Sequence, residues 1–242
     1  MTHSAGGSGP QSGPDSAPRS GFDKLALPYR WMEYLTFGPL LSRTRRAFLP
    51  QLKQARSALL LGDGDGRFTA ALLRANPHVH ATAVDISAAM LHRLRNRVAQ
   101  QGNADRLATL HANALSALLD GPFDLVCTHF FLDCLSDAEC STLAHQLADR
   151  LAPSALWVVS DFAIPPGSLH GIARLLVGAL YAAFGLLTGL RVRTLPDYAA
   201  ALQSAGLRRI ALQTRLRGIL RSELWQLSAD ADPANGHPIA HE

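Results

Sequence analysis

From residue 57 onward, short apolar runs alternate with amphipathic stretches. Ser57–Leu61 is an apolar run of strand length. Residues 67–75 repeat apolar positions at helical spacing and stop at Asn76-Pro77, because proline disfavours helical backbone in the residue before it. Residues 79–84 predict a second strand, closed by Asp85. Ser87 is placed to cap a helix that runs to about Gln101 and stops at Gly102. Leu107–His111 and residues 123–128 predict the third and fourth strands. Asp137 is placed to cap a helix reaching Leu151, with Pro153 just beyond, and residues 155–160 predict a fifth strand. Strands alternating with helices of this size build an α/β fold with a doubly wound, mostly parallel sheet and right-handed crossovers.

The rhythm changes after Asp161. Residues 171–190 form a long apolar stretch whose one charge is Arg174. Residues 196–205 predict a short helix ended by Gly206. Residues 208–214 and 220–227 read as two strands joined at Gly218, an antiparallel hairpin at the sheet edge that brings the expected count to seven. Upstream, residues 22–52 read as helical with a break at Gly38-Pro39. The expected organisation is one domain over 22–228, with a helical cap at 22–54 and an apolar substrate-side insertion at 165–195. Residues 1–21 and 229–242 read as disordered tails; the first lacks the apolar centre of a signal peptide.

Composition narrows the class. The chain has 242 residues, 48% hydrophobic, enough for one sizeable core. Its formal net charge is +4. The arginines are scattered in singles and pairs, such as Arg45-Arg46, without the concentrated basic stripe that nucleic-acid binding requires. Cys127, Cys134 and Cys140 lack Cys-x-x-Cys spacing, so neither a disulfide framework nor a metal site is expected. Reduced thiols fit a cytoplasmic protein, and Cys127 reads as a small core residue.

The candidate chemistry begins at Leu59-Leu60-Leu61-Gly62-Asp63-Gly64-Asp65-Gly66-Arg67-Phe68. A strand feeding a glycine-rich turn and a helix lets the backbone approach a nucleotide-like ligand. Asp63 and Asp65 would repel a pyrophosphate and favour a nucleoside that carries a cation. S-adenosylmethionine (SAM) is such a ligand. Asp85, at the end of the second strand, suits ribose hydroxyls; its other reading is a helix-starting carboxylate. Asn113, past the third strand, could read an adenine edge or merely shape a turn. An NAD(P) enzyme would usually place a third glycine where Arg67 stands.

Together with Val84-Asp85-Ile86-Ser87, Phe123-Asp124-Leu125-Val126 and the terminal hairpin, the 59–68 segment resembles the class I SAM-dependent methyltransferases, over residues 22–228. The run Phe22-Asp23-Lys24-Leu25-Ala26-Leu27-Pro28-Tyr29-Arg30-Trp31-Met32 resembles the opening of the ubiquinone/menaquinone C-methyltransferase branch. The resemblance implies a Rossmann-like methyltransferase fold with SAM as cofactor. It assigns cofactor contacts to Gly62, Asp63, Gly64, Asp65, Gly66, Asp85, Ile86, Asn113, Ala114 and Thr128. Two positions depart from that family. Leu60 stands where an acid usually helps hold the loop and the ammonium group, which leaves that charge to Asp63 or Asp65. Asn113 stands where Asp is common.

Methyl transfer depends mainly on proximity and in-line alignment, so few catalytic residues can be read directly. His129 is the general-base candidate because its ordinary pKa lies near neutral; a structural histidine is the other reading. Asp133 could orient it, act itself, or cap a helix. Phe130 and Phe131 could face a sulfonium cation or simply pack. Tyr29 and Asp161 are further pocket candidates. Residues 171–190 are long enough to span a bilayer at ~1.5 Å per residue, yet they lie between strands of one sheet. Three placements fit: a lid lining an apolar pocket, a helix resting on a membrane surface, or a core or dimer helix. The first predicts a small hydrophobic acceptor, quinone-, phenol- or lipid-like, methylated at carbon or oxygen by a monomer or homodimer. The alternatives are a non-catalytic binding protein of the same fold and, further off, an NAD(P)-dependent oxidoreductase.

Overall fold

The computed structural model describes residues 39–167, 170–171, 173–179 and 195–228. The two expected tails, the cap residues 22–38 with Tyr29, and residues 180–190 of the apolar stretch lie outside the described residues. Helix α1 (Pro39–Arg45) precedes the sheet. There follow β1 (Ser57–Leu61), α2 (Arg67–Ala75), β2 (His80–Asp85), α3 (Ala88–Ala99), β3 (Leu107–His111), β4 (Phe123–His129), α4 (Asp137–Ala148) and β5 (Leu151–Phe162). Residues 173–179 are helical. Then come α5 (Tyr198–Ser204), β6 (Leu207–Arg215) and β7 (Leu220–Leu227).

The seven strands lie in the order β3-β2-β1-β4-β5-β7-β6. The pairs β1–β2, β1–β4, β2–β3 and β4–β5 are parallel. The expected hairpin is present, and β7 enters antiparallel between β5 and β6. The order reverses at β1, so β1 and β4 open a crevice at their carboxyl ends, where such sheets bind ligands.

Alternate strand residues feed two cores. Leu59, Leu61, Val126, Trp157, Val159 and Trp225 face α4 and α5. Leu60, Leu125, Cys127, Val158 and Leu224 face α2 and α3 with Phe68, Leu72 and Leu94. Trp157 and Trp225 are direct cross-strand partners and fully buried. Cys127 is a buried core residue, as its apolar strand predicts.

Two boundaries differ from the sequence reading. Ser136, not Asp137, caps α4, through a reciprocal capping box with Glu139. Strand β5 starts at Leu151, four residues early: Pro153 falls where the pairing slips from Phe123↔Leu151 to Leu125↔Leu156, so its missing N–H breaks no rung. No helix among the described residues is long and apolar enough to cross a membrane.

Candidate functional site

The loop after β1 is shaped by three glycines with different tasks. All have positive φ. A Cβ on Gly62 would lie 2.5 Å from the Phe131 ring, and one on Gly66 would lie 2.5 Å from Leu94 Cγ. Gly62 therefore seats an aromatic ring, and Gly66 lets α2 and α3 approach. Gly64 has nothing within 4 Å of that position. Its backbone faces open space, as a ligand cradle requires.

The two loop carboxylates are not equivalent. Asp65 Oδ2 pairs with Arg67 Nε at 3.0 Å and Arg97 Nη2 at 2.9 Å, so its charge is already matched within the fold. Asp63 Oδ2 accepts from Thr69 N at 2.9 Å and Thr69 Oγ1 at 2.6 Å. It thereby serves the first turn of α2, whose Gly66 cap offers no side chain. Burial pushes the Asp63 carboxyl up to about 6 despite the Thr69 hydrogen bonds and the field of Arg45.

Asp85 closes β2. Its Oδ1 accepts from Ser87 N at 2.9 Å. Burial pushes its pKa up to about 6 despite that hydrogen bond. Ile86 beside it is 46% exposed, an apolar face at the crevice. Asn113 Oδ1 is spent within its own turn on Leu115 N at 3.0 Å. Ala114 is half-buried next to it and packs against the α4-side core. The Thr128 side chain is fully buried and accepts from Trp157 Nε1 at 3.0 Å.

Past β4, the residues diverge. His129 is 3% exposed and packs edge-on to Phe68, with ring centroids 4.2 Å apart. Neither ring nitrogen has a hydrogen-bond partner among the described residues. Burial, with the Arg45 charge, lowers its pKa to about 3, so it is a neutral imidazole and a poor proton acceptor near pH 7. Phe130 holds φ 55°, a strained conformation for a bulky residue. Its ring lies 5.1 Å from that of Phe162, and Arg45 lies 5.1 Å over it. Leu41 and Leu220, with Leu40, Phe162 and Leu176, complete an apolar cluster around Phe130 over the ends of β4, β5 and β7. Asp133 and Asp161, 5% and 0% exposed, face the other side of the sheet.

The structure thus gathers Asp63, Gly64, Asp85 and Ile86 at one crevice. It ties Asp65 and Thr128 into the fold and sets His129 on the α2 side, away from Asp133. Arg45, whose charge acts on Asp63 and His129, was not among the candidates read from the sequence. Its sequence signal was only an arginine pair ahead of the first strand.

Residues 59–156 match the family of the methyltransferase domain. The chain has the methyltransferase fold. The mitomycin 7-O-methyltransferase MmcR superposes with a TM-score of 0.63 at 20% identity, over 86% of this chain and 61% of that one. An O-methyltransferase family protein from Burkholderia thailandensis gives 0.65 at 16% identity, over 85% and 60%. The N-methyltransferase NodS from Bradyrhizobium japonicum, in complex with S-adenosyl-L-homocysteine, gives 0.57 at 17% identity, over 77% and 87%. This chain covers about three fifths of the length of the first two structures. No curated protein matches it in sequence. The residues of this crevice fit a nucleoside bearing a cation: open backbone at Gly64 and half-buried carboxylates at Asp85 and Asp63.

Proposed function

We propose that the protein is a SAM-dependent methyltransferase acting on a small, apolar acceptor at oxygen or carbon. The observation that carries this is the open Gly64 backbone after β1 and the Asp85 carboxylate at the end of the neighbouring strand β2, at the reversal point of the sheet. Asp85 would hold the ribose hydroxyls, Ile86 the adenine face, and Asp63 the ammonium group. When bound, SAM supplies an electrophilic methyl group on a sulfonium. The chain then needs mainly to align the acceptor and exclude water. The apolar cluster of Leu41, Phe130, Phe162, Leu176 and Leu220 supports a hydrophobic acceptor. The branch resemblance in residues 22–32 points to a quinone or phenol; the structural neighbours described above are O- and N-methyltransferases.

A second reading, a non-catalytic binding protein, is favoured by Leu60 in place of an acid and by Asp65 already neutralised by Arg67 and Arg97. Calorimetry with SAM, S-adenosylhomocysteine and NADPH comes first. Binding of the first two alone is expected, and NADPH binding without them would overturn the proposal. Detection of S-adenosylhomocysteine release across a phenol, quinone and lipid panel then separates enzyme from binding protein.

A further inference from the structure

Charge is unevenly placed around the sheet. Residues 39–61, 162–196 and 198–222 contain no carboxylate in sequence, while Arg43, Arg45, Arg46, Arg174, Arg215 and Arg217 fall within them. The fold brings parts of these stretches to one corner. Helix α1 packs on β6 and β7. Leu40 and Leu41 from α1, Phe162 at the end of β5, Leu176 from the helix at 173–179 and Leu220 at the start of β7 share one apolar cluster. Ala163 N donates to Ile219 O at 2.8 Å, and a Cβ on Gly218 would lie 3.1 Å from Pro165 Cβ. The turn Leu216–Gly218 therefore closes against the end of β5. The exposed carboxylates Asp137, Glu139 and Asp197 stand at the starts of α4 and α5, on the face opposite α1.

The outer side of this corner mixes apolar and basic side chains. The helix at 173–179 buries Ala173 and Val177, one turn apart, and leaves Arg174 exposed and Leu175 76% exposed. In the turn before β7, Leu216 and Arg217 hold φ 49° and 52°, left-handed values that strain both residues. That turn leaves Leu216 39% exposed with the exposed Arg217 beside it. Arg43 on α1 is exposed as well. Arginines further along the hairpin are already engaged: Arg209 and Arg221 lie 3.2 and 3.4 Å from the buried Glu223. A single exposed leucine is ordinary. Here two of them each adjoin an exposed arginine, on elements that feed one apolar cluster. Such a mixture suits a boundary where apolar side chains meet hydrocarbon and guanidinium groups meet phosphate. Nucleic acid would set the leucines against a charged backbone.

We propose that this corner docks on an anionic lipid surface, with Leu175 and Leu216 entering the headgroup–acyl boundary and Arg43, Arg174 and Arg217 lying over lipid phosphates. Charge complementarity selects the occupant: an acid-free corner meets a negative leaflet, while the acids of α4 and α5 stay on the other face. The contact is made by a few side chains and by charge, so it is peripheral, reversible and salt-dependent. Docking does not depend on methyl transfer, but its consequence rests on that reading. The apolar cluster around Phe130 shares this corner of the sheet. A hydrophobic acceptor dissolved in the bilayer would then reach the protein without crossing water.

Co-sedimentation of the full chain with vesicles tests this without cofactor or acceptor. At about 50 mM salt, phosphatidylcholine vesicles with about one third phosphatidylglycerol should bind the protein roughly tenfold more tightly than phosphatidylcholine alone. That preference should shrink to roughly twofold at about 0.5 M salt. Arg174→Glu combined with Arg217→Glu should cut the partition coefficient more than roughly tenfold, since each basic residue near the surface is worth about fivefold. Leu175→Ser and Leu216→Ser should each cut it about threefold, which a purely electrostatic contact would not show. Arg74→Glu is the control: Arg74 is exposed in the last turn of α2, at the opposite end of the sheet, and its loss should leave the partition within about twofold. If circular dichroism shows that a variant of the turn does not fold, Arg174→Glu and Leu175→Ser on the separate helix carry the test. No vesicle binding, equal binding to neutral and anionic vesicles, or an equal loss in Arg74→Glu and Arg174→Glu overturns the proposal. So does salt-dependent binding to a short RNA or DNA strand without vesicle binding. Failure to bind SAM overturns the methyltransferase reading instead and leaves the vesicle result standing.

Discussion

The Asp85 carboxylate accepts a hydrogen bond from the backbone N–H of Ser87 at 2.9 Å, fixing the turn from β2 into α3. The same side chain stands at the carboxyl end of the strand that pairs with β1, on the side from which the glycine loop leaves the sheet. Asp85→Ala should weaken SAM binding about 10- to 100-fold, the range expected for losing charge-assisted hydrogen bonds. Calorimetry checks this, with circular dichroism confirming the fold.

The glycines should separate by task. Gly66→Ala puts a Cβ 2.9 Å from Leu94 Cα as well as at a left-handed φ, and should cost about 2–4 kcal/mol in a urea titration. Gly64→Ala meets open space and should cost only about 1 kcal/mol of backbone strain, while losing SAM affinity because the new methyl group occupies the crevice.

Asp63 and Asp85 both sit near pKa 6 in the folded protein. A cation and ribose hydroxyls prefer the ionised carboxylates. The SAM Kd should therefore be flat above about pH 7 and rise as pH falls through 6, by about tenfold per unit for each group that must ionise. Asp65→Asn should leave that Kd within twofold, because Arg67 and Arg97 already occupy Asp65. A flat Kd between pH 7 and 5 would contradict the assignment of Asp63 and Asp85.

How far the sequence led depended on how local each signal was. The glycine loop, Asp85 and the strand–helix rhythm are written in neighbouring residues, and the sheet follows them closely. The pairing of Asp65 was not legible because its partner Arg97 lies one helix away, on α3. The surroundings of His129 were hidden for a similar reason. Its near-neutral pKa in water says nothing about Phe68 or Arg45, which its own strand does not contain. The hydrogen bond from Asp133 N to Asp161 Oδ2 needed the pairing of β4 with β5, which no spacing encodes.

His129 also makes a stability prediction. Its folded pKa is about 3 against an ordinary 6.5, so the folded state binds fewer protons than the unfolded state between those values. Its stabilising contribution is complete above pH 6.5 and is lost as pH falls toward 3, by up to about 5 kcal/mol. Asp63 and Asp85, with raised pKa, act in the opposite direction between about 4 and 6. Urea titrations of His129→Leu beside the parent protein at pH 4 and 7 isolate the histidine: the variant should gain stability at pH 4 relative to its parent.

The insertion of β7 between β5 and β6 divides the molecule by the order in which it can be assembled. Residues 57–111, with β1, β2 and β3, are knit by contacts between successive units. The rest of the sheet depends on meetings far apart in the chain: Ser160 bonds Ser222 across 62 positions and Thr44 across 116. Closing such distances is entropically slow. A chain leaving the ribosome can set the glycine loop and Asp85 in place while Arg221, Glu223 and the β7 edge beside Asp161 are still to be made, so one end of the sheet is complete before the other has begun.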